Sequence, residues 1–179
     1  TITLAGATVG LGHPLFVIAG PDVIEAEDFT LRHAQRLKAI TAKYGVPFAF
    51  KCSFDKANRT SIKSYRGPGL TEGLRVLARV KKEVGVPVLT DVHEISQVAA
   101  VAEVADIIQV QLPSAGDGET AGERKFVGLL ARSAAAAGID ALFTEVHENP
   151  DKALCDGPCS LTFELFEETL RDVLAIRRA

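Results

Sequence analysis

The stretches GVPFAFK (45–51) and GVPVLTD (85–91) decide the fold of this 179-residue chain. Each opens on glycine, runs through apolar residues and closes on a polar one, and the second repeats the first after 40 residues. A third run of the same form, GIDALFTE, occupies 138–145, and PLFVIAG (14–20) and ADIIQV (105–110) share the apolar, β-branched character. Short runs without polar alternation are strands buried on both faces, as parallel strands are.

The segments between them have helical period. Residues 26–43 put Phe29, Leu37 and Ile40 on one face, and residues 71–84 put Leu74, Leu77 and Val84 inward behind Thr71 as the expected N-cap. Helical patterns continue over 95–104, 122–137 and 161–177. Strands alternating with helices imply an α/β domain with a parallel sheet and right-handed crossovers. No linker or low-complexity stretch divides residues 1–179, so one domain is expected, with the first ten residues forming a small hairpin beneath the sheet.

Composition narrows the function classes. At 47% hydrophobic and 24% charged the chain can bury a core, and a formal charge of -3 argues against nucleic acid as a partner. No run of 18 apolar residues points to a membrane, and TITLAGATVG lacks the basic start of a secretory signal. Thr1 is not a translation start, so a trimmed or incomplete N-terminus is expected. Cys52, Cys155 and Cys159, an odd set, read as reduced thiols of a cytoplasmic protein, and the C-x3-C spacing of the last two lacks the second pair a zinc site needs.

Chemistry in such sheets gathers where strands end and loops begin. Here the strand ends carry Gly20-Pro21-Asp22, Lys51, Asp91-Val92-His93, Gln109 and Glu145-Val146-His147. In TDVHE (90–94) and TEVHE (144–148) the acid and histidine stand two apart and are expected on one side of their strand. Residues 51–66, KCSFDKANRTSIKSYR, set five cations (Lys51, Lys56, Arg59, Lys63, Arg66) against one anion, Asp55. Gly67-Pro68-Gly69 follows, a turn that would let backbone approach a ligand. A basic cluster in that place suits a phosphate or a carboxylate.

The blocks KCSFDKANRTSIKSYRGPG, TDVHE, ADIIQ, TEVHENPDKA and CDGP resemble the 3-deoxy-D-manno-octulosonate 8-phosphate synthases. The resemblance implies a (β/α)8 TIM barrel, a homotetramer, that condenses phosphoenolpyruvate with D-arabinose 5-phosphate on the route to lipopolysaccharide. It implies Lys51 and Lys56 at phosphoenolpyruvate and the reacting carbons, and Asp91 and His93 along the aldose. It also implies Asn58, Arg59 and Thr60 at the sugar phosphate, with Gln109 ending the fourth strand. A related synthase of the heptulosonate phosphate type, or a non-catalytic remnant of the same ancestry, are the alternatives.

The chain departs from that family in two ways. A (β/α)8 barrel takes about 250 residues, whereas five strands are readable here. IIQV runs directly into QLPSAGDGE, which resembles the loop after strand seven, so an internal deletion is expected near 110–111. The absent units would carry a Lys, an Arg and a His that the family uses, which places the chain's own activity in question. The second departure is Asp22, where the family has Cys with a metal and Asn without one. CDGP resembles the metal-free members, so no cofactor is the first expectation. The alternative is Mn²⁺ or Mg²⁺ held by Asp22, Glu145 and Asp156.

Overall fold

The computed structural model describes residues 1–56, 65–111 and 122–178. A short hairpin, β1 (Ile2–Leu4) and β2 (Ala7–Val9), precedes β3 (Phe16–Gly20), α1 (Glu27–Lys43), β4 (Phe48–Lys51), α2 (Leu70–Val84) and β5 (Val88–Val92). Next come α3 (Ile95–Ala102), β6 (Ile107–Val110), α4 (Arg124–Ala137), β7 (Ala141–Glu145), a 3-10 turn at Pro150–Lys152, and α5 (Phe163–Arg178). The five long strands form one parallel sheet in the order β6-β5-β4-β3-β7, which leaves β6 and β7 as its edges among the described residues. All five strand runs and all five helical runs of the sequence are present. The sheet is an incomplete barrel of the (β/α) type. Among the described residues no helix is long and apolar enough to cross a membrane.

Strand period two sorts the side chains onto two faces. Val17, Phe48, Phe50 and Val88 point into the large core beneath the helices, where they meet Leu37 of α1, Leu77 of α2 and Phe166 of α5. Phe16, Ile18, Ala49 and Ile107 point to the opposite face, against which the β1–β2 hairpin packs Leu4 and Val9. The expected hairpin floor is there. On that same face, one turn of pleat higher, stand Lys51 and Glu145, and beyond them Asp91 and Gln109.

Helix ends follow local rules, with one correction. α1 has Glu27 and Asp28 in its first turn and Lys43 in its last, which suits its dipole. α2 stops at Gly85 in the left-handed conformation (φ 68°). Thr71 is not its cap: α2 starts one residue earlier, at Leu70, behind Gly69 at φ 84°. Gly69 N–H donates to the Phe54 carbonyl at 3.0 Å, so the chain's own backbone fixes that start. α3 begins with a capping box, Glu94 with Gln97, yet buries Val101 alone.

Candidate active site at the strand ends

The carboxyl ends of β3, β4, β5 and β7 converge on a buried ionic cluster. Gly20 lets β3 and β4 approach so closely that a Cβ there would sit 1.8 Å from the Lys51 carbonyl oxygen. Asp22, two residues on, is turned inward and is 3% exposed. Lys51, also 3% exposed, donates from Nζ to the Asp22 carbonyl at 3.2 Å and to Ser53 Oγ at 2.9 Å, with Asp22 Oδ1 at 3.5 Å. Lys56 closes directly on Asp22 Oδ1. Glu145 from β7 and the Cys155 thiol stand beside the same carboxylate, whose oxygens are buried with no hydrogen-bond partner beyond the lysine ion pairs among the described residues.

Charge in this shell is unevenly shared. Burial opposes ionisation of Asp22, but the ammonium groups of Lys51 and Lys56 hold its carboxyl far below the usual range. Burial and the charge of Asp22 push Glu145 up to about 8, so at neutral pH it keeps its proton. Burial and Asp22 also push the Cys155 thiol up. Burial lowers Lys56, but Asp22 more than compensates and the amine stays protonated. Inside the buried shell, among the described residues, two ammonium groups, Lys51 and Lys56, meet the Asp22 carboxylate, and the buried Asp91 carboxylate also acts on Lys56. The two ammonium groups are what this shell can turn toward an anion.

Asp91 and His93 form the second part of the site. His93 Nε2–H donates to the Asp55 carbonyl at 3.0 Å and lies 3.4 Å from Asp91 Oδ2. Asp91 is 2% exposed, and its Oδ1 has no hydrogen-bond partner among the described residues. Gln109 Nε2 donates to Gln111 Oε1 at 3.1 Å. Asn58, Arg59 and Thr60, the expected phosphate grip, lie outside the described residues, as does Lys63.

Several expectations need correction. Glu145 and His147 do not repeat the Asp91–His93 pair. His147 follows the strand end and donates from Nε2 to Glu25 Oε1 at 3.1 Å, while its Nδ1 accepts Asn149 N–H at 2.9 Å. The 51–66 cluster is not five free cations, because Arg66 forms a two-pronged pair with Asp55 and Lys51 and Lys56 are engaged by Asp22. Gly67 (φ 107°) serves the fold: a Cβ there would lie 2.5 Å from the Phe54 carbonyl.

The sequence reading also missed residues. Glu25 accepts Leu154 N–H at 2.9 Å besides pairing His147, so it ties the 147–154 loop to the loop after β3. His33 donates from Nδ1 to Phe29 O and accepts Glu148 N–H at 3.0 Å. Burial lowers its pKa to about 4, so it works as a neutral tie. The position of Glu25, three residues after Asp22 in one loop, was the available signal.

A metal would use two of the three residues expected, Asp22 and Asp156. Ligand atoms of Asp22, Cys155 and Asp156 lie within 4.8 Å of one another, with a thiol where Glu145 was expected. Asp156 reaches this position in the left-handed region (φ 46°). As they stand these residues fit a divalent ion poorly. Lys56 already neutralises Asp22, and Cys155 is held as a thiol where a metal needs a thiolate.

With this geometry in view, the sequence profile of the DAHP synthetase I family matches residues 2–111 and 113–176. The chain belongs to the DAHP synthetase I family. Members similar to it include the 2-dehydro-3-deoxyphosphooctonate aldolase of Synechococcus sp., 37% identical over 96% of this chain and 92% of the relative. Those of Desulfatibacillum aliphaticivorans (38%; 96% and 95%) and Desulfosudis oleivorans (37%; 100% and 96%) are alike. These three alignments run over 260, 259 and 268 positions, more than the 179 residues of this family member.

Proposed function

We propose that this chain is a shortened 3-deoxy-D-manno-octulosonate 8-phosphate synthase, binding phosphoenolpyruvate and D-arabinose 5-phosphate in the cytoplasm. The observation that carries the reading is the Lys51–Asp22–Lys56 cluster at the strand ends, with its two buried ammonium groups, in a chain whose relatives are named for the octulosonate reaction. The reaction joins the enol carbon of phosphoenolpyruvate to the aldehyde carbon of the sugar. Water adds at the adjacent carbon, and inorganic phosphate leaves.

Each group has a task in that scheme. Lys51 and Lys56 compensate the carboxylate and phosphate of phosphoenolpyruvate in a partly dry site, where such charges act strongly. Glu145 carries a proton at neutral pH beside them. Asp91 Oδ1, buried without a partner among the described residues, is an acceptor for a sugar hydroxyl, and His93 holds that carboxylate in place. Asn58, Arg59 and Thr60 grip the sugar phosphate, and Gln109 lines the aldose side. No metal takes part in this scheme. Mn²⁺ or Mg²⁺ at Asp22 and Asp156 is the second reading, favoured only by the proximity of those groups.

An internal deletion near 110–111 fits the break of the family match at residue 112 and the excess of aligned positions. The lost units would remove charge-stabilising groups, and one such group is worth about 10²–10³ in rate. The test combines binding and turnover on protein of confirmed mass. Both substrates are expected to bind by calorimetry, erythrose 4-phosphate more weakly than arabinose 5-phosphate, and chelator is expected to change nothing. Phosphate release is expected well below ~1 s⁻¹, the low end of ordinary enzymes. Absence of binding would reduce the chain to a remnant, and binding that returns only with Mn²⁺ would restore the metal.

A further inference from the structure

We propose that two copies of this chain close edge to edge, the outer edge of β6 in each copy pairing with the outer edge of β7 in the other. One two-fold axis along the strands generates both seams and gives a ring of parallel strands. This does not rest on the function proposed above.

Three observations carry it. First, among the described residues the sheet ends in two free edges, β6 and β7, and each offers unpaired backbone donors and acceptors. β6 lacks a neighbour on one side and β7 on the other, so a parallel copy presents to each edge the one it lacks. Rotation about the strand direction satisfies both at once and leaves no edge to propagate.

Second, the two edges have matching shapes. A groove of about 270 Å³ runs along the outer edge of β7, walled by Val127, Leu130 and Ala134 of α4 and by Leu142 and Phe143. Leu130 and Phe143 are 64% and 46% exposed. β6 offers Ile108 and Val110, and Val110 is 72% exposed. Ile108 packs on the helix side of the sheet, and strand period puts Val110 on that side too. A β6 laid beside β7 therefore carries Val110 beneath the other copy's α4.

Third, the flanking helices do not repel one another. α3, which leads into β6, is bounded by Glu94 and Glu103 with no cation between them. α4, which leads into β7, carries Arg124, Lys125 and Arg132, paired within the chain with Asp151, Glu123 and Asp172. The ring sets α3 of one copy beside α4 of the other. Pairing β6 with β6 would instead bring acid to acid and leave β7 bare.

Sedimentation equilibrium of the purified chain tests this. A species of twice the 19.1 kDa chain mass is expected. Val110→Lys is expected to weaken association at least tenfold with an unchanged far-UV spectrum and melting temperature, since Val110 lies in solvent in the single chain. Leu130→Glu should do the same. Geometry is read by cross-linking: Val110→Cys mixed with Leu130→Cys is expected to give a covalent dimer on oxidation, beyond that of the parent chain. A monomer at every concentration, trimers or larger species, or a dimer indifferent to Val110→Lys would overturn the proposal. So would Val110→Cys linking to itself, or association only with an added polypeptide carrying the absent β/α units.

Discussion

Replacing Asp22 by asparagine should change how the stability of this protein depends on pH more than it changes the stability itself. In the folded chain Glu145 titrates at about 8, against an ordinary unfolded value near ~4.3. Between those values the folded state holds a proton that the unfolded state lacks. Stability then falls as pH rises, at about 1.4 kcal/mol per pH unit. His33 acts in the opposite sense, because its folded pKa of about 4 lies below the ordinary ~6.5 and its contribution grows as pH rises between them. The two slopes oppose each other below pH 6.5. From pH 6.5 to 8 Glu145 dominates over the fading His33 offset, and the net loss is about 1 kcal/mol.

The Asp22→Asn change removes the second cause of the raised Glu145 pKa, the charge of Asp22, and leaves the first, its burial. Glu145 then ionises more readily beside Lys56, so the slope should shrink. The cost of the substitution should also stay below the roughly 3–5 kcal/mol of a buried pair simply broken. Urea unfolding at pH 6.5, 7.2 and 8.0 measures both effects. The range stops at pH 8 because the cysteine thiols, raised by burial in the folded chain, add a further fall above it. An equal fall in the two proteins, or a flat profile in the parent, would refute the coupling of Asp22 to Glu145.

Gly20→Ala should abolish soluble folded protein, because its Cβ meets the Lys51 carbonyl at 1.8 Å and neither strand can retreat; a cooperative melt would show otherwise. Glu25→Ala strips acceptors from Leu154 N–H and His147, at about 1–3 kcal/mol. Hydrogen exchange over 147–157 should quicken ahead of the rest of the chain, and uniform exchange would deny the tie. Arg59→Ala should weaken arabinose 5-phosphate binding by tenfold or more, while Lys82→Ala, on the exposed face of α2, should leave it unchanged; equal effects in calorimetry would reduce the 51–66 cluster to a solvated loop.

The five strands were legible because each is a short apolar run bounded by glycine, proline or a polar close, although only β3, β4 and β5 are buried along both faces. The strand ends were legible for the same reason: Lys51, Asp91 and Glu145 each close an apolar run at the carboxyl end of its strand. Partnership was not. Asp91 meets His93 through a local step along one segment, whereas Asp22 meets Lys56, Glu145 and Cys155 through crossovers that no spacing encodes. Thr71 misled because capping statistics favour its hydroxyl, while the real start of α2 is fixed by the Phe54 carbonyl, a tertiary contact. His147 misled because the repeated D/E-x-H pattern does not record that the second strand ends at Glu145.

The seclusion of Asp22 and Lys51 has a consequence for how such a site outlives damage to its scaffold. In a closed barrel the ring of strands keeps solvent from the inner face, yet here Phe143, on that face, is 46% exposed. The ionic cluster is still dry. Its insulation comes from Cys52 and Phe54 after β4 and from Cys155 in the last loop, each a neighbour in sequence of a charged member or of the segment that covers it. Local dielectric is thus a property of two loops, whereas the volume for substrate is a property of the whole ring. An open barrel of this kind lacks room before it lacks field strength, and what it keeps at the strand ends is a small insulated electrode.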